Sequence, residues 1–425
     1  VMVIIFISII IVPNALILNS YLSNDDAQIR EEIVYKLNDS VFSTPAVADM
    51  DKDNLSEIFL GDNSGISVFN LKDKKLEMKS RYSGDKFRSS PLIIDRNGDG
   101  TKEIIVGSES GKIYIFEYKN SSLNKIEEHQ TEDCIFSSPA GGDLDGDGII
   151  EIVLGNRAGS VIVLDLDENG TQMKSLKVGG KIDSSPTIKD LDNDNIMEII
   201  VGSTDKNLYV FEYDGKRLVK KSNFSTNYWV YSSPAVGDLN NDKKDEIVVG
   251  GCDHNLYVFS YTNKTLVKRD SYNTGHRVGN SPMITDFDNN GIKEIFVLNY
   301  EGSYFIFNFD KKLKLKSRYI TNKSLCAFSS FSDLDSDNFM EIVTGGFDKK
   351  IHILSYNGIS IKPEALYETK GKAFSSFIIS DVDDDENCEI IFGDTESNLY
   401  VLESGKCSDS EWNMINHNPT HTPST

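Results

Sequence analysis

The sequence predicts an all-β fold: an eight-bladed β-propeller, four antiparallel strands per blade, with the ring closed by an N-terminal strand that joins the last blade. Three observations predict it. A Ser-Ser-Pro tripeptide or a near copy recurs through the whole chain, the spacing between copies is nearly constant, and every interval repeats the same order of short apolar runs and turn-rich segments. No helical periodicity is found past residue 30.

The copies are Ser43-Thr44-Pro45, Ser89-Ser90-Pro91, Ser137-Ser138-Pro139, Ser184-Ser185-Pro186, Ser232-Ser233-Pro234 and Asn280-Ser281-Pro282, then Ser329-Ser330-Phe331 and Ser375-Ser376-Phe377. The intervals are 46, 48, 47, 48, 48, 49 and 46 residues. Unit three displays the internal order best. Ser138–Gly142 leads into an acidic loop, Glu151–Gly155 reads as a strand, Asn156–Gly159 as a turn, and Ser160–Leu166 as another strand; a more variable stretch closes the unit. A single four-stranded sheet cannot bury both faces, so each must pack on its neighbours, and a ring leaves no exposed end. The last unit has strands at Ser375–Ser380, Glu389–Gly393 and Asn398–Leu402 but lacks a fourth. Ile33–Leu37 precedes the first unit and has no unit of its own, so it is expected to supply that outer strand.

Composition narrows the function. Hydrophobic residues make up 39% of the 425, enough for a sizeable core. A net charge of -22 argues against nucleic-acid phosphates as partners, since these need a basic patch. The five cysteines are odd in number and irregularly spaced, so neither a zinc site nor a disulfide scaffold is indicated; one bridge has room to form, but buried or free thiols are the expectation. Val1–Val12 is apolar apart from Ser8, and Ala15–Leu18 extends the run past Pro13-Asn14. Residues 1–22 are therefore expected to be a signal peptide or N-terminal membrane anchor, 23–407 the propeller and 408–425 a tail.

Between the first two strands, each unit carries acidic or amide side chains at positions 1, 3, 5 and 9 of a loop. The sets are Asp49, Asp51, Asp53 and Glu57; Asp95, Asn97, Asp99 and Glu103; Asp143, Asp145, Asp147 and Glu151; and Asp190, Asp192, Asp194 and Glu198. The second half of the chain continues with Asp238, Asn240, Asp242 and Glu246; Asp286, Asp288, Asn290 and Glu294; Asp333, Asp335, Asp337 and Glu341; and Asp381, Asp383, Asp385 and Glu389. Side chains 1, 3 and 5 of a tight loop can converge on a hard cation, which takes six to eight oxygens, and residue 9 can complete the shell. Gly or Asn at position 6 permits a positive φ. Lys243 and Glu386 depart from this, so loops five and eight are the weakest expected sites. Two carboxylates about 4 Å apart repel by roughly 4 kcal/mol at an effective dielectric of 20, so placing them together eight times calls for a cation. These loops hold 29 of the 66 acidic residues. An EF-hand is excluded, because position 12 of the third loop is Leu154, within a strand.

The unit Ser-Ser-Pro-x-x-x-Asp-x-Asp-x-Asp-Gly-x-x-Glu-Ile-Val-x-Gly resembles the FG-GAP or VCBS-type repeat of integrin α-subunit heads, over residues 30–405. The resemblance implies a propeller that holds Ca²⁺ in the loops between strands one and two, here up to eight ions in a mainly structural role. Glu at position 9 departs from the more common Asp of that family, and eight units differ from the seven blades of integrin heads. The tail residues Trp412, Met414, His421 and Thr422 are similar to a Trp-Met…His-Thr ending of prokaryotic propellers of this kind.

A ligand is expected on the face away from the acidic loops. The residues entering each inner strand there are Phe42, Arg88, Phe136, Asp183, Tyr231, Gly279, Phe328 and Phe374, with Tyr228, Trp229, His276 and Arg277 adding to the rim. Aromatic side chains with Arg and Asp suit sugar rings or a docked protein loop; the same aromatics could equally plug the hub. The expectation is a secreted or cell-surface recognition or adhesion module for glycan or protein, with a monomeric propeller and no catalytic residues assigned. The rivals are a polysaccharide-active or quinone-dependent propeller enzyme and a purely structural envelope scaffold. Against a quinone enzyme stands the lack of a tryptophan in each unit, with only Trp229 and Trp412 present. Glycosylation sequons, among them those at Asn38, Asn120, Asn169, Asn223, Asn263 and Asn322, permit modification without indicating it.

Overall fold

Alternating apolar positions and tight turns leave each unit one low-energy arrangement, a meander of four antiparallel strands. The computed structural model, which describes residues 11–12, 15–16, 29–167, 169–321 and 329–406, has eight such four-stranded sheets. In blade three the strands are Ala140–Gly142, Glu151–Gly155, Ser160–Asp167 and Gly170–Lys177. Their register runs Ala140 opposite Val153, Val153 opposite Val163, and Val163 opposite Lys174. The two middle strands are buried on both faces, while the outer strand alternates toward solvent.

The core lies between blades. Val153, Val161 and Val163 of blade three pack with Ile199, Val201 and Phe211 of blade four. Ile391, Leu399 and Val401 of the last blade pack with Ile58, Leu60 and Phe69 of the first. Each such side chain contributes about 1.5–3 kcal/mol by leaving water, which no isolated blade could obtain.

The recurrent serines explain themselves at the hub. The Ser138 hydroxyl accepts the Ser90 amide at 3.1 Å, Ser185 accepts that of Ser138 at 3.0 Å, Ser233 that of Ser185 at 3.0 Å, and Ser281 that of Ser233 at 2.9 Å. The inner strands belong to separate sheets and do not pair with one another, so these hydroxyls satisfy amides that would otherwise be buried unpaired. The first serine of each pair looks the other way. Ser137 accepts the Gly155 amide at 2.8 Å and donates to the Gly155 carbonyl at 2.8 Å. That glycine has no substitute, since a Cβ there would lie 2.2 Å from Cγ2 of Ile182.

The ring closes as the sequence predicts. Glu31–Lys36 pairs antiparallel with Asn398–Lys406, with Ile33 opposite Val401, and completes the sheet of Ile378–Ser380 and Asn387–Gly393. One expectation is corrected: Cys388 is disulfide-bonded, whereas Cys134 and Cys252 are free. Its partner lies outside the described residues, as do the predicted tail and most of residues 1–22. Within that leading segment, Ile11–Val12 pairs with Ala15–Leu16. Among the described residues no helix is long and apolar enough to cross a membrane.

Candidate metal centres and rim

The acidic loops share one backbone plan. In loop three, Asp143 accepts the Gly146 amide at 2.7 Å through Oδ1 and the Gly148 amide at 3.1 Å through Oδ2. Asp145 accepts the Asp147 amide at 3.2 Å, and Asp147 accepts the Ile149 amide at 2.7 Å. The amides thus point inward and hold the carboxylates at the centre of the loop. Positions 4 and 6 are both left-handed, at φ 80° for Gly146 and 89° for Gly148. Position 6 is left-handed in all eight loops, including Lys243 at φ 66° and Glu386 at φ 68°, so the departures in loops five and eight do not alter the turn.

The glutamate at position 9 has a role that its spacing alone did not reveal. Glu151 Oε2 accepts the Leu144 amide at 2.6 Å. The same bond joins Met50 to Glu57 at 2.8 Å, Arg96 to Glu103 at 3.1 Å, Leu191 to Glu198 at 2.8 Å and Leu239 to Glu246 at 3.0 Å. It recurs from Phe287 to Glu294 at 3.0 Å, Leu334 to Glu341 at 2.7 Å and Val382 to Glu389 at 2.9 Å. One oxygen thus clamps the loop entrance; the other accepts from Asn70 at Glu57 and from Asn308 at Glu294, at 3.1 and 3.2 Å, and is unpartnered at Glu151 and Glu341.

That second oxygen tests whether the residues fit a cation. Glu151 Oε1 and Glu341 Oε1 are buried without a hydrogen-bond partner, as is Asp288 Oδ1. In loops one, three, four, six and seven, three carboxylates each offer an oxygen within 4.8 Å of the others. Burial, reinforced by Asp145 and Asp165, pushes the Glu151 carboxyl up to about 8, and burial with Asp335 and Glu364 pushes Glu341 up to about 9. Costs of this kind are what a divalent ion removes, so the donor set fits a hard, oxygen-preferring metal. Loops two and five carry Asn97 and Asn240 at position 3; Asn240 donates to Glu246 Oε1 at 3.0 Å and Asn97 to Asp99 at 3.0 Å.

Tyrosines of neighbouring blades lie close to these sites, which inspection of one repeat could not show. Tyr213 of blade four donates to Asp165 at 2.6 Å beside loop three. Tyr118 of blade two is pushed up to about 12 by burial, with the Glu57 and Asp51 carboxylates of blade one adding to the shift. The sequence signal was the tyrosine that recurs two residues after an apolar or aromatic position, in Phe116-Glu117-Tyr118, Phe211-Glu212-Tyr213 and Phe259-Ser260-Tyr261.

Antiparallel alternation puts the start of each inner strand and the turn after each second strand on the opposite face. There the predicted rim residues form a ladder. Phe347 packs edge-on against Phe374 at 4.8 Å, and Phe374 stacks on Phe42 at 6.0 Å. The Arg88 guanidinium lies over Phe42 at 4.6 Å and over Phe136 at 5.3 Å, and Arg157 covers Phe136 at 4.1 Å. Arg157 grips both oxygens of Asp183, at 2.8 and 3.0 Å. Trp229 lies between Tyr228 at 4.7 Å and Tyr231 at 5.6 Å, Arg277 reaches over Tyr228 at 6.0 Å, and His276 stacks on His254 at 5.8 Å. Gly279 is small because the Tyr300 ring fills its place, 2.3 Å from where a Cβ would stand. Phe328 lies outside the described residues. Phe42, Phe136, Tyr231 and Phe374 are half-buried, neither sealed in the hub nor fully in solvent.

Sequence comparison agrees with this geometry. The FG-GAP-like repeat family matches residues 95–154, 190–249 and 238–297, spans that contain acidic loops two to six. The chain is an eight-bladed propeller, and these stretches of it match the FG-GAP-like repeat. No curated protein matches the sequence. Among solved structures, Saccharomyces cerevisiae Sqt1 superposes with a TM-score of 0.69 at 12% identity, over 90% of this chain and 100% of that one. The C-terminal WD40 domain of Sif2 gives 0.60 at 12% identity, over 87% and 96%. BamB from Moraxella catarrhalis gives 0.58 at 12% identity, over 87% and 97%. At these identities the likeness extends to the propeller fold alone.

Proposed function

We propose that this FG-GAP propeller is an exported calcium-binding module, secreted or held at the cell surface, that recognises a glycan or protein through its aromatic rim. The observation that carries the calcium reading is the orphaned carboxylate oxygen, buried and aimed into an acidic loop, at Glu151 and Glu341. Calcium accepts six to eight oxygens in irregular geometry, which suits these loops better than the small octahedral shell of magnesium. With extracellular-type affinity near 10⁻⁴ M and millimolar ion, each occupied loop adds on the order of 1.5 kcal/mol. Several loops together then rival the net stability of a domain, so the ions, up to eight, are mainly structural. The disulfide at Cys388 favours an oxidising compartment.

The rim supports recognition because its rings are held in place by their neighbours. Phe136 lies between two guanidinium groups and Trp229 between two tyrosines, so little side-chain entropy remains to be lost on binding. Calcium titration by calorimetry tests the first half of the reading, and a protein with no binding heat and no bound ion contradicts it. An array of glycans and extracellular proteins, probed with wild type, Phe136→Ala and Trp229→Ala, tests the second. Binding that survives both substitutions unchanged rules out the rim.

A further inference from the structure

Loop four has the full set Asp190, Asp192, Asp194 and Glu198, with Asn195 left-handed at position 6 (φ 66°), and by sequence it ranks with the best of the eight. The structure places a lysine in it. Lys264 Nζ stands 3.0 Å from Asp192 Oδ2, 2.6 Å from Asp194 Oδ2, 3.4 Å from Glu198 Oε1 and 2.9 Å from Glu212 Oε1. The ammonium thus contacts four carboxylates at once, one of them, Glu198, wholly buried. Three of the four belong to the loop's own set; Asp190 is not among them, and Asp192 Oδ1 stays buried without a hydrogen-bond partner.

Lys264 arrives from the following blade, in the turn between its third and outer strands, Asn255–Thr262 and Thr265–Asn273. The corresponding turns of other blades vary. Blade one carries Lys74, also left-handed at φ 60° and 3.6 Å from Glu403 beside loop eight, whereas blades four and seven carry glycine in a longer turn. Gly215 closes over loop three, where a Cβ would lie 2.5 Å from Asp145 Oδ2, and Gly358 closes over loop six, where a Cβ would lie 2.8 Å from Asp288 Oδ2. All three residues are left-handed, at φ 58° for Lys264, 76° for Gly215 and 77° for Gly358. Glycine leaves room for an ion; a left-handed lysine brings its own charge.

We infer that Lys264 is a tethered cation that occupies loop four in place of calcium. This rests on the calcium reading of the other loops. An ammonium and a divalent ion cannot share four oxygens at these distances without strong repulsion. The tethered charge needs no free ligand, so the junction of blades four and five stays neutralised when calcium is scarce.

The test is calcium stoichiometry, by native mass spectrometry and equilibrium dialysis of the intact chain, for wild type, Lys264→Met and Lys264→Arg. Lys264→Met is expected to bind one more ion per chain than wild type, and Lys264→Arg the same number as wild type. In EDTA, Lys264→Met is expected to melt below wild type, and calcium to raise its melting temperature by more. Should Lys264→Met fail to fold without calcium, it is refolded in millimolar calcium and its ions counted, with Lys264→Gln as the second variant. Equal stoichiometry in wild type and folded Lys264→Met overturns the inference while leaving calcium binding intact. No ion on wild type but one on Lys264→Met overturns the general calcium reading and supports this one. No ion on either overturns both.

Discussion

The Ser376 amide donates to Oγ1 of Thr44 at 3.3 Å, joining the inner strands of the last and first blades across 332 residues of sequence. It is the closing link of the serine ring. Thr44 is also a donor to that ring, since its own amide reaches Ser90 Oγ at 3.0 Å. Thr44→Val keeps the shape and removes the acceptor, so a loss of about 0.5–1.5 kcal/mol in chemical denaturation is expected. Ser138→Ala, deeper in the hub, strands the buried Ser90 amide and is expected to cost about 1–3 kcal/mol. Equal, negligible effects at both positions would mean that the hub hydrogen bonds do not hold the ring.

Gly155→Ala and Gly148→Ala separate packing from backbone strain. A methyl group at 155 collides with Ile182. Overpacking of that kind costs about 1–3 kcal/mol whether or not calcium is present. At 148 there is open space but φ is 89°, so the cost of about 1–2 kcal/mol comes from the left-handed backbone. It should be accompanied by weaker calcium binding, because the Gly148 amide positions Asp143. Denaturation midpoints with calcium and with EDTA distinguish the two.

Glu151→Gln keeps an acceptor for the Leu144 amide and removes the charge. In EDTA near pH 8 the variant is expected to be at least as stable as wild type, since an uncompensated buried carboxylate is gone. In calcium the order should reverse, with affinity at that loop weaker on the order of tenfold. A variant destabilised equally under both conditions would show Glu151 to be a structural clamp only.

The pH dependence of the ion-free protein follows from the same glutamates. Burial, with neighbouring carboxylates, raises Glu246 and Glu294 from 4.5 to about 7, Glu151 to about 8, and Glu341 and Glu389 to about 9. The folded chain therefore holds these protons more tightly than the unfolded one. Their stabilising contribution is complete below about pH 4.5 and is lost as pH rises through 7 to 9. In EDTA the melting temperature should fall across that window. Calcium takes the place of the protons, so the fall should be suppressed and proton release should accompany binding. A flat profile in EDTA would show that these carboxyls are not desolvated.

The blade count, the strand order and the closing strand at Glu31–Lys36 were legible because each unit repeats the same polar signals at fixed spacing. The first serine meets the glycine of the second strand in blades one to five and eight, and that repetition exposes the pattern. What a single unit could not reveal lies between units. Glu151 reads as a ligand at position 9, but its bond to Leu144 seven residues back appears only in the folded loop. Loops five and eight looked weakest because Lys243 and Glu386 are neither Gly nor Asn; both adopt the left-handed turn regardless, tied by their amides to Asp238 and Asp381. Nor does any single unit show that a lysine 66 residues beyond Glu198 reaches into loop four. On the rim, Phe136 was identified by its place before the Ser-Ser pair, whereas Arg157, which covers it, sits in a turn after a different strand and carried no repeated signal.

Central to the account is that acidic loops in ordered blades are completed by calcium. The most direct measurement is the melting temperature of the intact chain near pH 7.5 in millimolar calcium and in EDTA. The account predicts a rise with calcium of about 10 °C or more, from several loops contributing on the order of 1.5 kcal/mol each. Identical melting temperatures in the two conditions would contradict it.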